Sequence, residues 1–207
     1  DMALLTSNAA VTREVAAALD HLMRATLPGP AKHLLLAPHD LRGAMERAID
    51  KEIEQAFQGR PASILLKLNS CEDKPLIRKL YDASRSGGRV RRIVRGICCI
   101  QTKRKSFKQP IRAVSIIDQY LEHARVFVFH NGGKPRVYLS SADWMVRNLD
   151  HRVEAACPVY DAGLRQELID ILNIQLSENV KGRILDNSQR NRYIKRREGD
   201  PSVRSQL

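Results

Sequence analysis

The stretch LEHARVFVFHNGGKPRVYLSSADW, residues 121–144, concentrates side chains able to move a phosphoryl group. His123 and Arg125 stand two apart, so in an extended segment both point to one face. Ser140, Ser141 and Asp143 close the next apolar run, and the Asn-Gly-Gly between the two runs predicts a hairpin that sets the two groups side by side. Imidazole, guanidinium, hydroxyls and carboxylate would then converge at neighbouring strand ends. Phosphoryl transfer asks for such a set. Arginine grips phosphate oxygens in pairs, histidine exchanges protons near neutral pH, and a carboxylate beside it orients the ring. By itself H-x-R is a short pattern, and a histidine that only packs at a strand end satisfies it too.

The elements that must position these residues read as an α/β layer. Residues 7–27 carry apolar side chains at helical spacing, and LPGP at 27–30 ends that helix and marks a boundary. HLLLAP reads as a short strand, and Asp40 is expected to cap a second helix that stops at Gly59. ASILLKLN is a strand, Asp73 and Pro75 open a helix that ends at Gly87, and RVRRIVRG is the strand after it. Strand–helix–strand–helix–strand at these lengths predicts strands that are at least partly parallel. IRAVSI, the two hairpin strands and HRVEAACPV follow, then a helix at 161–176 and a polar, basic tail from about 181. Lys67 and Asn69 end a strand, where such sheets place ligands, so both are candidate phosphate contacts. A solvated lysine fits that position equally well. Arg147, Asn148 and Arg152 are weaker candidates, and Arg152 with Glu154 reads as a strand-end ion pair.

Charge narrows the partner. The net charge is +12, and residues 85–112 hold ten Lys/Arg and no Asp/Glu. From 181 to 207 there are eight basic and three acidic residues. A polyanion is the natural partner, which leaves nucleic acid, polyphosphate and a membrane surface in play. Aromatics are only 5%, which leaves little to stack on unpaired bases, so nucleic acid is the weaker candidate. No apolar run is long enough to span a bilayer, and no secretory signal pattern opens the chain. Four cysteines without C-x-x-C spacing, and six scattered histidines, suggest buried thiols in a reducing cytoplasm and no metal constellation. Beginning at Asp1, the sequence reads as a piece of a longer polypeptide.

Several segments together resemble the C-terminal part of bacterial polyphosphate kinases of the phospholipase-D-like type. They are LLKLN at 65–69, IVRGICCI at 93–100, IRAVSI at 111–116, and above all YLEHARVFVFHNGGKPRVYLSSADWMVRNLDHRVE at 120–154. The resemblance implies two phospholipase-D-like domains facing each other. Residues 1–33 would be the tail of the first domain and 34–207 the second, a mixed sheet flanked by helices. It implies reversible transfer of the terminal phosphate of ATP to inorganic polyphosphate, through a phosphohistidine that lies upstream of Asp1. His123 matches the family's second histidine, at the nucleotide and phosphate site, and Arg95 matches its ATP-phosphate arginine. A nucleotide-contacting tyrosine falls just before Asp1, and Gln119 departs from the arginine common at its position.

The implied substrates are ATP or ADP and polyphosphate. Magnesium is expected for the full-length enzyme, with its ligands outside this chain. The implied partner is the rest of the same polypeptide, as a homo-oligomer in the cytoplasm, with membrane association left open. The isolated piece is expected to be inactive. Two other readings stay open from the residues alone: another phospholipase-D-like phosphodiesterase, acting on nucleic acid or phospholipid, and a non-catalytic basic nucleic-acid-binding module.

Overall fold

The computed structural model describes residues 1–207. Its centre is a nine-stranded sheet in the order β1-β7-β6-β5-β2-β3-β4-β8-β9. The strands are β1 Leu35–Ala37, β2 Ser63–Leu68, β3 Arg89–Val94, β4 Arg112–Ile116, β5 Arg125–Phe129, β6 Arg136–Ser140, β7 Glu154–Pro158, β8 Gly182–Ile184 and β9 Arg192–Tyr193. The helices are α1 Ala9–Met23, α2 Leu41–Phe57, α3 Lys74–Ser86 and α4 Ala162–Ser177. The β2, β3 and β4 strands run parallel and all other neighbours are antiparallel; the strand–helix alternation predicts β2 beside β3, whereas β1 pairs antiparallel with β7 and β4 follows β3 without a helix. No helix is long and apolar enough to cross a membrane.

Alternation along β2 builds both faces of the core. Ile64, Leu66 and Leu68 join Leu41, Met45 and Ile49 of α2 and Leu76 and Leu80 of α3. Leu65, with Ile93, Val114, Val126 and Val137, faces Leu172 and Leu176 of α4. Burial on both sides explains why these strands read as continuous apolar runs. The β5–β6 turn passes through Asn131, Gly132 and Gly133 at φ 51°, 66° and 85°. Two glycines in a left-handed stretch are what make it cheap. His130 closes the turn by accepting the Gly133 N–H on Nδ1.

Three helix starts follow the expected chemistry. Asn8 accepts the Ala10 and Val11 N–H groups, Asp73 that of Leu76, and Asp161 that of Leu164. Asp40 does not. Its carboxylate turns back to the Leu36 N–H at 2.7 Å, so it ties the end of β1 rather than capping α2. Arg42, in the first turn of α2, grips Asp73 with both terminal nitrogens (2.9 and 2.8 Å) and also reaches Asp150. One guanidinium thus joins α2, α3 and a π-helical turn at Arg147–His151.

Polar contacts hold both ends of the chain to the sheet. The basic tail is folded: β8 adds to β4, and Glu178, 1% exposed, collects the N–H groups of Val180, Lys181 and Ser205. Arg204 pairs in two-pronged fashion with Asp118 at 2.8 Å. At the other end, α1 lies over the β1–β7 side of the sheet through Val11, Leu34 and Leu36, and Glu14 accepts the N–H groups of Lys32, His33 and Leu34. The segment after LPGP is thereby fixed to α1.

Candidate phosphate-binding site

The chemistry-bearing residues meet where β2 and β3 end and β5 begins. Asp143 is the hub. Its Oδ1 accepts the backbone N–H groups of Asn69 (2.7 Å) and Ser70 (2.9 Å), and its Oδ2 takes Arg125 Nη2 at 2.9 Å. It is 6% exposed, so these three donors replace the water it has lost. The loop that carries Asp143 is clamped on its far side by Trp144, fully buried edge-on to Phe127. The Trp144 carbonyl accepts the Glu72 and Asp73 N–H groups.

Asn69 joins the two candidates that the resemblance singles out. Its Oδ1 accepts Arg95 Nε at 2.9 Å, and its Nδ2 donates to the His123 carbonyl at 3.4 Å. The Arg95 terminal nitrogens have no protein acceptor and the side chain is half-buried, so the paired prongs are free to hold an oxyanion. Gly96 follows for a packing reason: a Cβ there would come within 3.2 Å of the Asn69 carbonyl, which its own N–H already uses.

His123 lies beside Arg125, 38% exposed in its side chain. Partial burial, then the positive charges of Arg125 and Arg95, hold its imidazole below the usual histidine range. That shift favours the neutral ring, which can accept a proton. Its Nδ1 has two partners with opposite needs: Arg125 Nη1 at 3.2 Å asks for a lone pair, and Asp1 Oδ2 at 3.3 Å asks for a proton. Asp1 was missed from the sequence, since 122 positions separate it from His123 and no motif links them.

The remaining candidates take other places. Arg125 uses Nη1 on the His123 carbonyl and Nη2 on Asp143, so it positions the histidine and offers little to a ligand. Ser140 donates to the Ala155 carbonyl and Ser141 to Glu154, which fastens the β6–β7 corner, while both line the same cavity as His123 and Arg125. Glu154 also accepts from Asn148 Nδ2, and it forms no ion pair with Arg152, contrary to expectation. Lys67 is no open phosphate contact either. It is 1% exposed and held by Glu122 and Gln175, and burial lowers its ammonium below the lysine range against the pull of Glu122. Arg147 is exposed on the π-helical turn with no partner.

The acid-free block at 85–112 does not form one lining. Arg92 points to the other face of the sheet, fully buried beside Cys71, while Arg91 and Arg112 bond α4. Arg85 pairs with Asp82. Of that block, Arg95 alone reaches the His123 cluster. Cysteine burial is also uneven: only Cys71 is fully buried, which pushes its thiol up to about 11, and Cys99 is exposed. Magnesium does not fit the cluster's buried carboxylate, because both Asp143 oxygens already hold N–H donors.

Comparison with known proteins gives this arrangement a context. The family model described as Polyphosphate kinase C-terminal domain 2 matches residues 34–206. The polyphosphate kinase of Vibrio cholerae is 44% identical over 207 residues, all of this chain but 29% of that protein. The crystal structure of the polyphosphate kinase from Porphyromonas gingivalis superimposes with a TM-score of 0.90 at 42% identity, covering 97% of this chain and 31% of that one. A phospholipase D family member, Nuc from Salmonella typhimurium, shares the fold at a TM-score of 0.55 and 16% identity, covering 74% of this chain and 97% of that one. The chain thus spans less than a third of the length of the curated relatives it matches.

Proposed function

The chain belongs to the polyphosphate kinase family, as its C-terminal domain 2, and we propose that it forms one wall of a phosphotransfer centre completed by polypeptide outside it. The observation that carries this reading is Asn69, which holds Arg95 on one side and the His123 backbone on the other. A guanidinium fork without a protein acceptor and an imidazole of lowered proton affinity are thereby tied to one amide, near enough for the Arg95 charge to act on the ring. Arg95 holds the terminal phosphate oxygens of ATP or of a polyphosphate end, and its fixed charge meets the charge that builds up in transfer. His123 exchanges a proton with the bridging oxygen that leaves or attacks.

The covalent step lies elsewhere. The bond from the γ-phosphorus of ATP to its bridging oxygen breaks, a phosphorus–nitrogen bond forms on a histidine outside this chain, and ADP leaves. A terminal polyphosphate oxygen then takes the phosphoryl group from that histidine. Magnesium, held by residues outside this chain, would neutralise phosphate charge. Four unpaired thiols suit a cytoplasmic setting. Exposed Leu19, Leu22 and Met23 on α1 support further polypeptide packing there.

The test is direct. The purified 207-residue chain is expected to bind tripolyphosphate and to show no ATP-dependent polyphosphate synthesis until the rest of the polypeptide is supplied. Synthesis by the chain alone would overturn the division of labour. Hydrolysis of a phosphodiester by the chain alone would favour the nuclease-like reading.

A further inference from the structure

A second basic feature lies at the opposite end of the β5–β6 strands. Arg125 pairs with Ser140 at the His123 end of the β5–β6 ladder, and Phe129 pairs with Arg136 at the other end. There, α2, the β5–β6 turn and the ends of β1 and β7 border an open cavity of about 570 Å³. Five cations line it: Lys32, Arg47, Lys51, Arg136 and Arg165. Arg165 donates to the Val159 and Tyr160 carbonyls. The side chains of the other four make no hydrogen bond or ion pair within the chain. Some exposed cations find acids, as Lys79 finds Asp50 and Arg24 finds Asp20, but many do not, so what sets these four apart is their gathering around one cavity. The one carboxylate in the cavity, Glu52, is 1% exposed and already holds the Ser63 and Asn131 N–H groups.

We propose that this cavity binds a segment of linear inorganic polyphosphate, as an anchoring site separate from the His123 centre. The inference rests on the polyphosphate reading above and adds a second station to it. Four unpaired cations around one open cavity ask for several negative charges close together. Polyphosphate has no sugar between its phosphates and so presents a denser charge than a nucleic-acid strand. Of the rings that line the cavity, Phe129 is 1% exposed, Tyr138 is half-buried and Tyr160 is 50% exposed, so the preference for polyphosphate rests on charge density and not on a lack of rings. A chain long enough to reach from one end of the β5–β6 ladder to the other holds on at one station while its end reacts at the other, and long chains gain affinity without any new contact type.

Titration calorimetry of the 207-residue chain with tripolyphosphate and with long-chain polyphosphate tests this. The parent is expected to take tripolyphosphate at two sites, and Arg47→Glu/Arg136→Glu at one, with long-chain affinity lower by about 100-fold. Lys32→Gln/Lys51→Gln, on the exposed rim, is expected to act in the same direction and serves if the first variant fails to fold. Unchanged stoichiometry and affinity in the folded variants would overturn the proposal. So would ATP or single-stranded DNA binding the cavity as tightly as polyphosphate of equal charge. Loss of one tripolyphosphate site in Arg47→Glu/Arg136→Glu, with no response to Arg95→Ala, would keep the cavity and reject the His123 centre.

Discussion

A chain carrying Asp143→Ala is expected to be less stable than the parent by about 3–5 kcal/mol, the usual cost of breaking a buried charge pair by removing one partner. The substitution leaves Arg125, 13% exposed in its side chain, without its carboxylate, and strands the Asn69 and Ser70 N–H groups at the end of β2. Those are the residues that place Arg95 and His123, so the damage reaches the site through the fold. Asp143→Asn is the informative companion. Its amide oxygen can still serve the two backbone donors, but its NH₂ meets Arg125, so an intermediate loss of about 1–3 kcal/mol is expected. Urea unfolding of the three chains measures both. An alanine variant within about 0.5 kcal/mol of the parent, as at an ordinary surface site, would show that Asp143 is not the hub described here.

His123→Ala should behave in the opposite way, with fold kept and function lost. Its ring is partly exposed, and Arg125 Nη1 retains the His123 carbonyl, which the substitution does not touch. Stability is therefore expected to stay within about 0.5 kcal/mol. In the longer polypeptide that completes the centre, turnover is expected to fall about 10²- to 10⁴-fold, the range for loss of a general acid–base group. The same imidazole gives a sign for pH. Its folded value lies below the ordinary 6.5, so the folded chain binds fewer protons than the unfolded one as pH drops. This group costs no stability well above pH 6.5, and its penalty grows as pH falls through that value. His123→Ala should remove that part of the acid sensitivity. A turnover loss below about tenfold would count against an acid–base role.

Much of the layer was legible because apolar alternation and helix punctuation act locally. The β2–α3–β3 unit is marked by the buried run ILLKL, the Asp73 cap and Gly87, and the β5–β6 hairpin by Asn-Gly-Gly. Convergence of His123, Arg125 and Asp143 followed from that hairpin. Alternation also held information that charge counting passed over. Arg92 shares its parity with Val90 and Val94, and so had to enter the buried face; Lys67 shares parity with Leu65 and lies one pleat deeper than Asn69. Counting residues 85–112 as one basic surface ignored the pleat.

The folded tail could not be read in this way. Glu178 with Ser205, Arg204 with Asp118 and Gln206 with Glu122 are polar contacts between distant positions, with no period to announce them. The approach of Asp1 to His123, and the gathering of Lys32, Arg47, Lys51 and Arg136 around one cavity, are products of topology in the same sense. The family resemblance located Arg95 and His123, but only the structure showed that Asn69 holds both.

The central claim is that Arg95 and His123 bind phosphate together, and the proton affinity of the His123 ring reads it out. Side-chain NMR of the 207-residue chain, titrated through pH 5–8 with and without saturating tripolyphosphate and with His123→Ala to assign the signal, makes the measurement. The free ring should titrate below 6.5, held down by partial burial and then by Arg125 and Arg95. Bound phosphate places negative charge beside it, so its value should rise, and by less in Arg95→Ala. A His123 signal whose titration does not respond to tripolyphosphate in the parent chain would contradict the account.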